Sequence, residues 1–128
     1  MITYSGYIRP VLEYGTPVFN GSLTKTQENQ LEMIQKRAFK IMLGSTYTSY
    51  MAALETCNLT TLVERRRKLC LDFAHSVEKN PNVCNWLPEK TNHNYALRSN
   101  TKYKQYKCKT KRFQNSAIPY LIQLLNNE

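Results

Sequence analysis

The hydrophobic and polar positions predict helices along most of the chain, and residues 24–44 carry the clearest pattern. Apolar residues recur there three and four positions apart, which places them on one stripe of a helix. This stripe consists of Leu31, Ile34, Ala38, Ile41 and Met42. The opposite face carries Lys25, Glu28, Glu32, Lys36 and Lys40. Thr24 and Gln27 have the spacing of a capping box, and Gly44 stands where a left-handed residue would end the helix.

Two shorter patterns predict helices on either side of this segment. Residues 2–15 predict a short helix, which either kinks between Gly6 and Pro10 or begins near Pro10, because proline lacks an N–H group and crowds the preceding turn. Ser49 is a candidate N-cap for a second short helix over residues 50–57.

A long helix follows. Thr61 and Glu64 form a second capping box, and the apolar pattern continues from there to about Lys79. The predicted core stripe consists of Leu62, Leu69, Phe73 and Val77, widened by Cys70 and Ala74. Cys70 is expected to behave as a small apolar core residue.

The pattern weakens in the segment after this helix. A loop is predicted there, with Trp86 anchored on the helical core. Residues 101–112 have no helical stripe and are rich in lysine, which predicts an extended basic arm. Asn115 or Ser116 then caps a last apolar helix, with Pro119 in its first turn.

These elements predict one all-α fold. We expect a small helical bundle of four to five helices, with the extended basic arm before the last helix. The predicted segments are a helical core over residues 1–80, a loop and basic arm over 81–112, and a C-terminal helix over 113–128.

Charge narrows the class of partner. The 128 residues include 18 Lys plus Arg against 9 Asp plus Glu, a net charge of +9. Such a balance suits a polyanionic partner, most simply nucleic acid (RNA or DNA) or an anionic membrane surface, although solvated basic faces on a soluble protein give the same count. No run of eighteen apolar residues and no signal peptide pattern occurs, so we expect an intracellular protein of the cytoplasm or nucleus without a membrane partner.

No catalytic or metal-binding motif emerges from the sequence. The cysteines Cys57, Cys70, Cys84 and Cys108 lack the paired spacing of zinc sites and suggest no disulfide framework. The single aspartate, Asp72, lies within the long helix and has no partner carboxylate in sequence for two-metal chemistry. We therefore expect neither enzyme activity nor a metal or other cofactor.

Two basic clusters are candidate contacts with nucleic acid. The first is the run Arg65, Arg66, Arg67 and Lys68. Because four consecutive residues span more than one helical turn, these side chains cannot all face one partner. Phosphate contact and a structural role, with arginines paired to Glu64 or packed along the core, both remain open.

The second cluster lies in and before the predicted arm. It comprises Arg98, Lys102, Lys104, Lys107, Lys109, Lys111 and Arg112, interleaved with Tyr103, Tyr106 and Phe113. Cations hold phosphates and aromatic rings stack on unpaired bases, while lysine without arginine forks favours backbone binding over base readout. The alternative is a solubilising linker between the core and the last helix.

A series of segments, taken in this order, resembles a known family. The segments are R-P-V-L-E-Y-G at 9–15, L-E-M-I-Q-K-R-A-F-K-I-M-L-G at 31–44, Y-x-x-A-L at 50–54, T-L-V-E-R-R-R-K-L-C-L-D-F-A at 61–74 and S-A-I-P-Y-L-I-Q-L-L-N at 116–126. Together they are similar to the C-terminal region of the reverse transcriptase of non-LTR (LINE-type, jockey-like) retrotransposons. The combination of I-Q-K-R-A with L-x-x-R-R carries most of the specificity.

The resemblance implies a place in a larger polymerase. Fingers, palm and thumb would precede this region, which would be the trailing part of the thumb and the helices after it. The F/Y-A-D-D motif of the palm, the upstream endonuclease and the Cys-Cys-His-Cys knuckle of some relatives have no counterpart here. We therefore expect a truncated piece of such a protein, from a gene model or an element remnant that begins at Met1.

Three hypotheses about function follow. In the first, the chain is a non-catalytic helical domain that binds RNA or DNA weakly and without sequence preference. In the second, it is a structural or interaction fragment whose apolar stripes would pack against the upstream reverse transcriptase domains, and it has no autonomous activity. In the third, it is a domesticated protein with a new cellular role.

Overall fold

Helices organise the computed structural model, which describes residues 3–91 and 101–128. A π-helical turn, Tyr4–Ile8, continues directly into helix α1, Arg9–Glu13. The other helices are α2 (Thr16–Phe19), α3 (Lys25–Leu43), α4 (Tyr50–Cys57), α5 (Leu62–Lys79), α6 (Lys111–Gln114) and α7 (Ala117–Asn126). The described residues contain no strand beyond one isolated bridge, so the prediction of an all-α fold is confirmed.

The predicted helix ends are found where local sequence signals placed them. At the start of α3, the Thr24 hydroxyl accepts a hydrogen bond from the backbone N–H of Gln27, and the Gln27 side chain accepts one from the backbone N–H of Thr24. The Ser49 hydroxyl caps α4 by accepting a hydrogen bond from the backbone N–H of Ala52. Gly44 and Asn58 follow α3 and α4 with φ values of 50° and 51°, the left-handed region that ends helices.

The chain divides into two compact units. Among the described residues, unit 1 is drawn from Met1–Thr16 and Leu23–Arg67, and unit 2 from Pro17–Ser22 and Lys68–Glu128. The boundary between Arg67 and Lys68 falls within α5. The division at residues 80 and 112 remains a prediction about segments of the sequence.

The core of unit 1 forms around Phe39 of α3. Phe39 is fully buried with Tyr4, Ala53 and Leu54, and the rings of Tyr4 and Phe39 lie 5.7 Å apart between centroids. Partly buried apolar residues of α3, α4 and their connections complete this cluster. Aromatic and aliphatic side chains therefore supply the burial that stabilises this unit.

The buried line of α3 differs from the predicted stripe. Gln35 and Phe39 are buried, whereas Ile34 is 44% exposed and Ile41 is 74% exposed. Glu32, predicted on the outer face, accepts hydrogen bonds from the Tyr50 hydroxyl and from the backbone N–H of the residue that begins α5. The helix thus turns a polar network inward, and the expectation that Ile34 and Ile41 are core residues was wrong.

Unit 2 has a separate core between α5 and α7. Its buried members are Cys70, Ala74, Val77, Leu87, Tyr103, Leu121, Ile122 and Leu125. The predicted burial of Cys70 and the docking of the last helix are confirmed. Phe73, predicted in the same stripe of α5, is 38% exposed.

The segment before α7 is only partly extended. Residues 101–110 are not helical, but Lys111 and Arg112, predicted within the extended arm, belong to the short helix α6. The Thr110 hydroxyl begins this helix by accepting a hydrogen bond from the backbone N–H of Phe113. Lys90 and Tyr103 form the isolated antiparallel bridge.

Candidate nucleic-acid interface

The side chains of the arginine cluster at the start of α5 differ in their exposure and in their partners. Arg65 donates from Nε to Glu13 Oε1 at 3.3 Å, and the same carboxylate is held by Arg9 at 2.7 Å. Arg66 is 1% exposed. Arg67 and Lys68 are exposed. Arg66 therefore offers no surface to a phosphate, and Arg65 would have to leave an ion pair to bind one.

The first residues of the basic arm are engaged by Glu78 of α5. Lys102 Nζ lies 2.9 Å from Glu78 Oε1, Lys90 Nζ lies 3.4 Å from the same oxygen, and the Tyr103 hydroxyl donates to it. His75 Nδ1 is 3.4 Å from Glu78 Oε2. This carboxylate, 12% exposed, ties the base of the arm to the core of unit 2.

Charge and hydrogen bonding set the ionisation of this cluster. Partial burial alone would raise the pKa of Glu78, but hydrogen bonds from Tyr103, Lys102 and His75 outweigh it and lower the pKa to about 2. Burial and the hydrogen bond to Glu78 raise the pKa of Tyr103. Hydrogen bonding to Glu128 and Glu78 raises the pKa of His75 against a smaller opposing effect of burial.

Tyr103 is therefore a structural residue. It is 2% exposed, so its ring has no face available for a base. Its backbone N–H donates to Asn126 Oδ1 at 2.8 Å, and its carbonyl accepts from Asn126 Nδ2 at 3.0 Å. Of the two tyrosines proposed as site residues, only Tyr106 offers an exposed ring.

Three half-exposed aromatic rings line one open depression in unit 2, which we call the aromatic groove. It is formed by Trp86, Tyr106, Phe113 and Ile118 and encloses about 520 Å³. Trp86, Tyr106 and Phe113 are 51%, 45% and 48% exposed. The rings of Tyr106 and Phe113 meet edge to face with centroids 6.4 Å apart. The groove thus presents exposed aromatic surface to solvent.

The groove is adjacent in sequence to a run of exposed cations. Lys104, Lys107, Lys109, Lys111 and Arg112 are all exposed. Lys107 directly follows Tyr106, and Arg112 directly precedes Phe113. The Cα atom of each of these cations is therefore next along the backbone to that of an aromatic residue of the groove. The sequence has no acidic residue between Glu89 and Glu128 to neutralise them.

A smaller and more polar cleft is also lined by Tyr106. It encloses about 220 Å³ and is lined by Gln105, Tyr106, Cys108, Gln114, Pro119, Ile122 and Gln123. Its glutamine amides can both donate and accept hydrogen bonds. Tyr106 is shared by the groove and the cleft, which makes it the central side chain of this surface.

Sequence reasoning located the arm but not the whole groove. Trp86 was expected on the core, and instead it ends a 3₁₀ turn, Cys84–Trp86, with its ring half exposed. Ile118 lies in the last helix, which was predicted only to be apolar. Neither position carries a local signal, because the groove forms only when α6, α7 and the 3₁₀ turn meet. Arg98 lies outside the described residues.

The described part of the chain offers no metal centre or membrane span. Its His, Cys, Asp and Glu side chains form no group of three that could hold a metal ion. No disulfide joins the four cysteines, all of which fall in the described ranges. Within residues 3–91 and 101–128, every helix is too short or too polar to cross a bilayer.

Comparison with known proteins adds no relative. No protein-family model matches the chain, and no curated protein or solved structure matches it. The resemblance to non-LTR retrotransposon reverse transcriptases therefore rests on the sequence segments themselves.

Proposed function

We propose that this chain is a non-catalytic C-terminal fragment of a retrotransposon reverse transcriptase-like protein that contributes non-specific binding to the backbone of RNA or DNA. The observation that carries the proposal is the exposed cation run of Lys104, Lys107, Lys109, Lys111 and Arg112 in a stretch without acidic residues. The resemblance of the flanking helices to that family supports the same assignment.

The chemistry of the run favours phosphates over base edges. Lysine ammonium groups act as flexible point charges, which hold phosphate oxygens without fixing a sequence. Each neutralised phosphate releases condensed counterions, so binding of this kind weakens steeply as salt rises. In a full-length relative, such a surface would steady template or primer beside the polymerase.

No catalytic role is proposed. In the resembled family, catalysis belongs to paired palm aspartates, and this sequence has only one aspartate, Asp72, which is exposed on α5. The proposed contribution of the chain is therefore binding alone.

A salt series of binding measurements tests the proposal. Fluorescence anisotropy of labelled RNA and DNA oligonucleotides would be followed between about 50 mM and about 200 mM salt. Replacing Lys107, Lys109 and Lys111 with glutamine should weaken binding to all sequences alike. It should also reduce the slope of log affinity against log salt by up to about 2 to 3.

The control variant removes the same charge elsewhere. It replaces three exposed cations outside the arm: Lys25, Arg37 and Lys79. This variant should keep most of the affinity and the salt slope. No binding at the lowest salt, or equal loss in both variants, would show that the arm is not a nucleic-acid surface.

One observation favours the alternative, a structural or interaction fragment. Tyr7, Val11 and Tyr14 recur along the first helical segment and are 75%, 75% and 87% exposed. Ile34 and Ile41 of α3 add further exposed apolar surface in the same unit. If upstream polymerase domains cover these side chains in a full-length protein, the isolated chain should bind hydrophobic dyes and unfold over a broad temperature range. A sharp, cooperative transition without dye binding would argue against this alternative.

A further inference from the structure

We propose that the aromatic groove of Trp86, Tyr106 and Phe113 is a stacking site for unpaired nucleobases, which gives this protein a preference for single-stranded RNA or DNA over duplex. This inference rests on the proposed function, because the neighbouring cations must first hold the backbone. It adds a substrate class, since a purely electrostatic arm would bind duplex at least as well as single strands.

The size and the exposed aromatic surface of the groove suit a planar ring. Each of its three aromatic residues leaves about half of its surface bare, and the fourth lining residue, Ile118, is apolar and partly buried. A volume of about 520 Å³ is ample for one base with its sugar outside. Aromatic faces bind any base, because every base has a π-face, which is consistent with a backbone-binding surface that lacks base readout.

Charge complementarity identifies the occupant as part of a polyanion. An apolar groove on its own could receive an aliphatic peptide side chain. Here, however, Lys107 and Arg112 directly adjoin two of the rings in sequence, and Lys104, Lys109 and Lys111 extend the positive stretch. A nucleotide combines the two features in one unit, a flat apolar base and a phosphate a few ångströms away.

The base must be unpaired to enter. In a duplex, both faces of each base are covered by stacking neighbours, and a base must be unpaired and unstacked before it can enter the groove. A single strand exposes these faces at little cost, so stacking in the groove adds to backbone binding only for unpaired nucleotides. The Tyr106–Phe113 edge contact holds two of the rings in place before the strand arrives.

The chain provides its own reporter, because Trp86 is the single tryptophan. The intact protein would be titrated with a single-stranded oligothymidylate, with an abasic oligomer of equal length and charge, and with a duplex. Anisotropy of the labelled oligomer reports backbone binding, and quenching of Trp86 emission reports stacking. We expect both signals with oligothymidylate, but anisotropy alone, with about fivefold or more weaker affinity, with the abasic oligomer and the duplex.

Variants separate stacking from folding. Trp86→Ala should weaken binding of oligothymidylate about fivefold or more and leave binding of the abasic oligomer unchanged, whereas Trp86→Phe should retain most of the preference. Phe113→Leu provides a second loss of ring surface with little change in volume. The matched control is Tyr14→Ala, which removes an 87% exposed ring far along the sequence in unit 1 and should change neither affinity.

Each contrary result has a distinct meaning. Equal affinity for oligothymidylate and the abasic oligomer, with unchanged Trp86 emission, would overturn the stacking site while leaving backbone binding intact. An absence of binding to all three oligomers would overturn both proposals. If the wild-type protein self-associated and the Trp86→Ala variant did not, the groove would be a contact between copies and the stacking proposal would fail.

Discussion

Gln35 is the residue that best explains the packing of unit 1. Its Oε1 accepts from the Tyr4 hydroxyl at 2.5 Å, and its Nε2 donates to the Tyr50 hydroxyl at 2.8 Å and to the Thr60 carbonyl at 3.2 Å. A buried amide is tolerated when its donors and acceptors are paired, and here one side chain connects the first helical segment, α4 and the approach to α5. Burial raises the pKa of Tyr4 to about 12, so this hydroxyl keeps its proton as a donor at neutral pH.

Replacing Gln35 with leucine should destabilise the protein by about 1–3 kcal/mol, because buried hydroxyl and carbonyl groups lose their partners while the shape of the side chain is nearly kept. Urea unfolding followed by circular dichroism would measure the change. Gln30→Leu is the matched control, since Gln30 is exposed on the same helix. Equal effects in the two variants would show that the Gln35 network adds nothing to stability.

In unit 2, the polar cluster around Glu78 should stabilise the fold in a way that depends on pH. The Glu78 carboxyl has a folded-state pKa of about 2, below its ordinary value of 4.5, so its ionised form stabilises the fold above pH 4.5. That contribution is lost as pH falls from 4.5 towards 2. Glu78→Gln should therefore cost about 1–3 kcal/mol at neutral pH, and its difference from wild type should shrink over this acid range. Urea titrations at several pH values would detect this; a difference that does not vary with pH would exclude the ion cluster as its cause.

These residues also show what the sequence could and could not predict. Thr24, Ser49 and Gly44 were placed correctly because caps and left-handed ends depend on neighbours within a few positions. The inward face of α3 was mispredicted because a glutamine becomes core only when distant hydroxyl groups meet it. Periodicity counts apolar residues and cannot register such a network.

At the scale of elements, the turn Asn20–Ser22 packs closely against α7. An ideal Cβ on Gly21 would lie 2.7 Å from Tyr120 Cγ and 2.9 Å from the Asn115 carbonyl oxygen. Asn20 Nδ2 donates to the Tyr120 hydroxyl at 2.7 Å, which fixes the ring in this position. The close approach therefore requires glycine, and a short turn far from α7 in sequence helps to position the helix that carries Ile118.

Gly21→Ala should consequently destabilise unit 2 by about 1–3 kcal/mol, because the added methyl group must displace the Tyr120 ring or the backbone. Gly6→Ala is a matched control: no atom lies within 4 Å of its ideal Cβ, and alanine favours a helical turn. Thermal unfolding of both variants would measure the contrast. If Gly21→Ala were as stable as Gly6→Ala, the approach to Tyr120 would be looser than the structure indicates.

The same elements account for the limits of site prediction. The basic arm was visible because its lysines recur every two or three residues, and Tyr106 and Phe113 were noted among these cations. The burial of Tyr103 follows from Glu78 and Asn126, which lie 25 and 23 positions away along the chain. Trp86 enters the groove through a 3₁₀ turn that no capping or periodic signal marks. Local charge was therefore predictable, and the arrangement of rings was not.

For the whole molecule, the dominant property is its net charge of +9. Like charges repel in the folded state, and the repulsion falls as ions screen them. The ion pairs at Glu13 and Glu78 stabilise the fold, and salt weakens this attraction as well, so screening of these pairs lowers stability. With twice as many cationic as anionic side chains, repulsion should outweigh these few pairs.

Salt should therefore stabilise the fold while it weakens the proposed nucleic-acid binding. Raising ionic strength from about 0.01 M to about 0.1 M shortens the screening length from about 30 Å to about 10 Å, and the urea midpoint should rise over this range. Neutralising Lys107, Lys109 and Lys111 should reduce that rise, because these cations lie in the stretch without acidic residues. A midpoint that falls with salt would mean that the ion pairs at Glu13 and Glu78 dominate. In that case, repulsion among Lys104, Lys107, Lys109, Lys111 and Arg112 would contribute little to the free energy of unfolding, and these exposed side chains would still be accessible to phosphates.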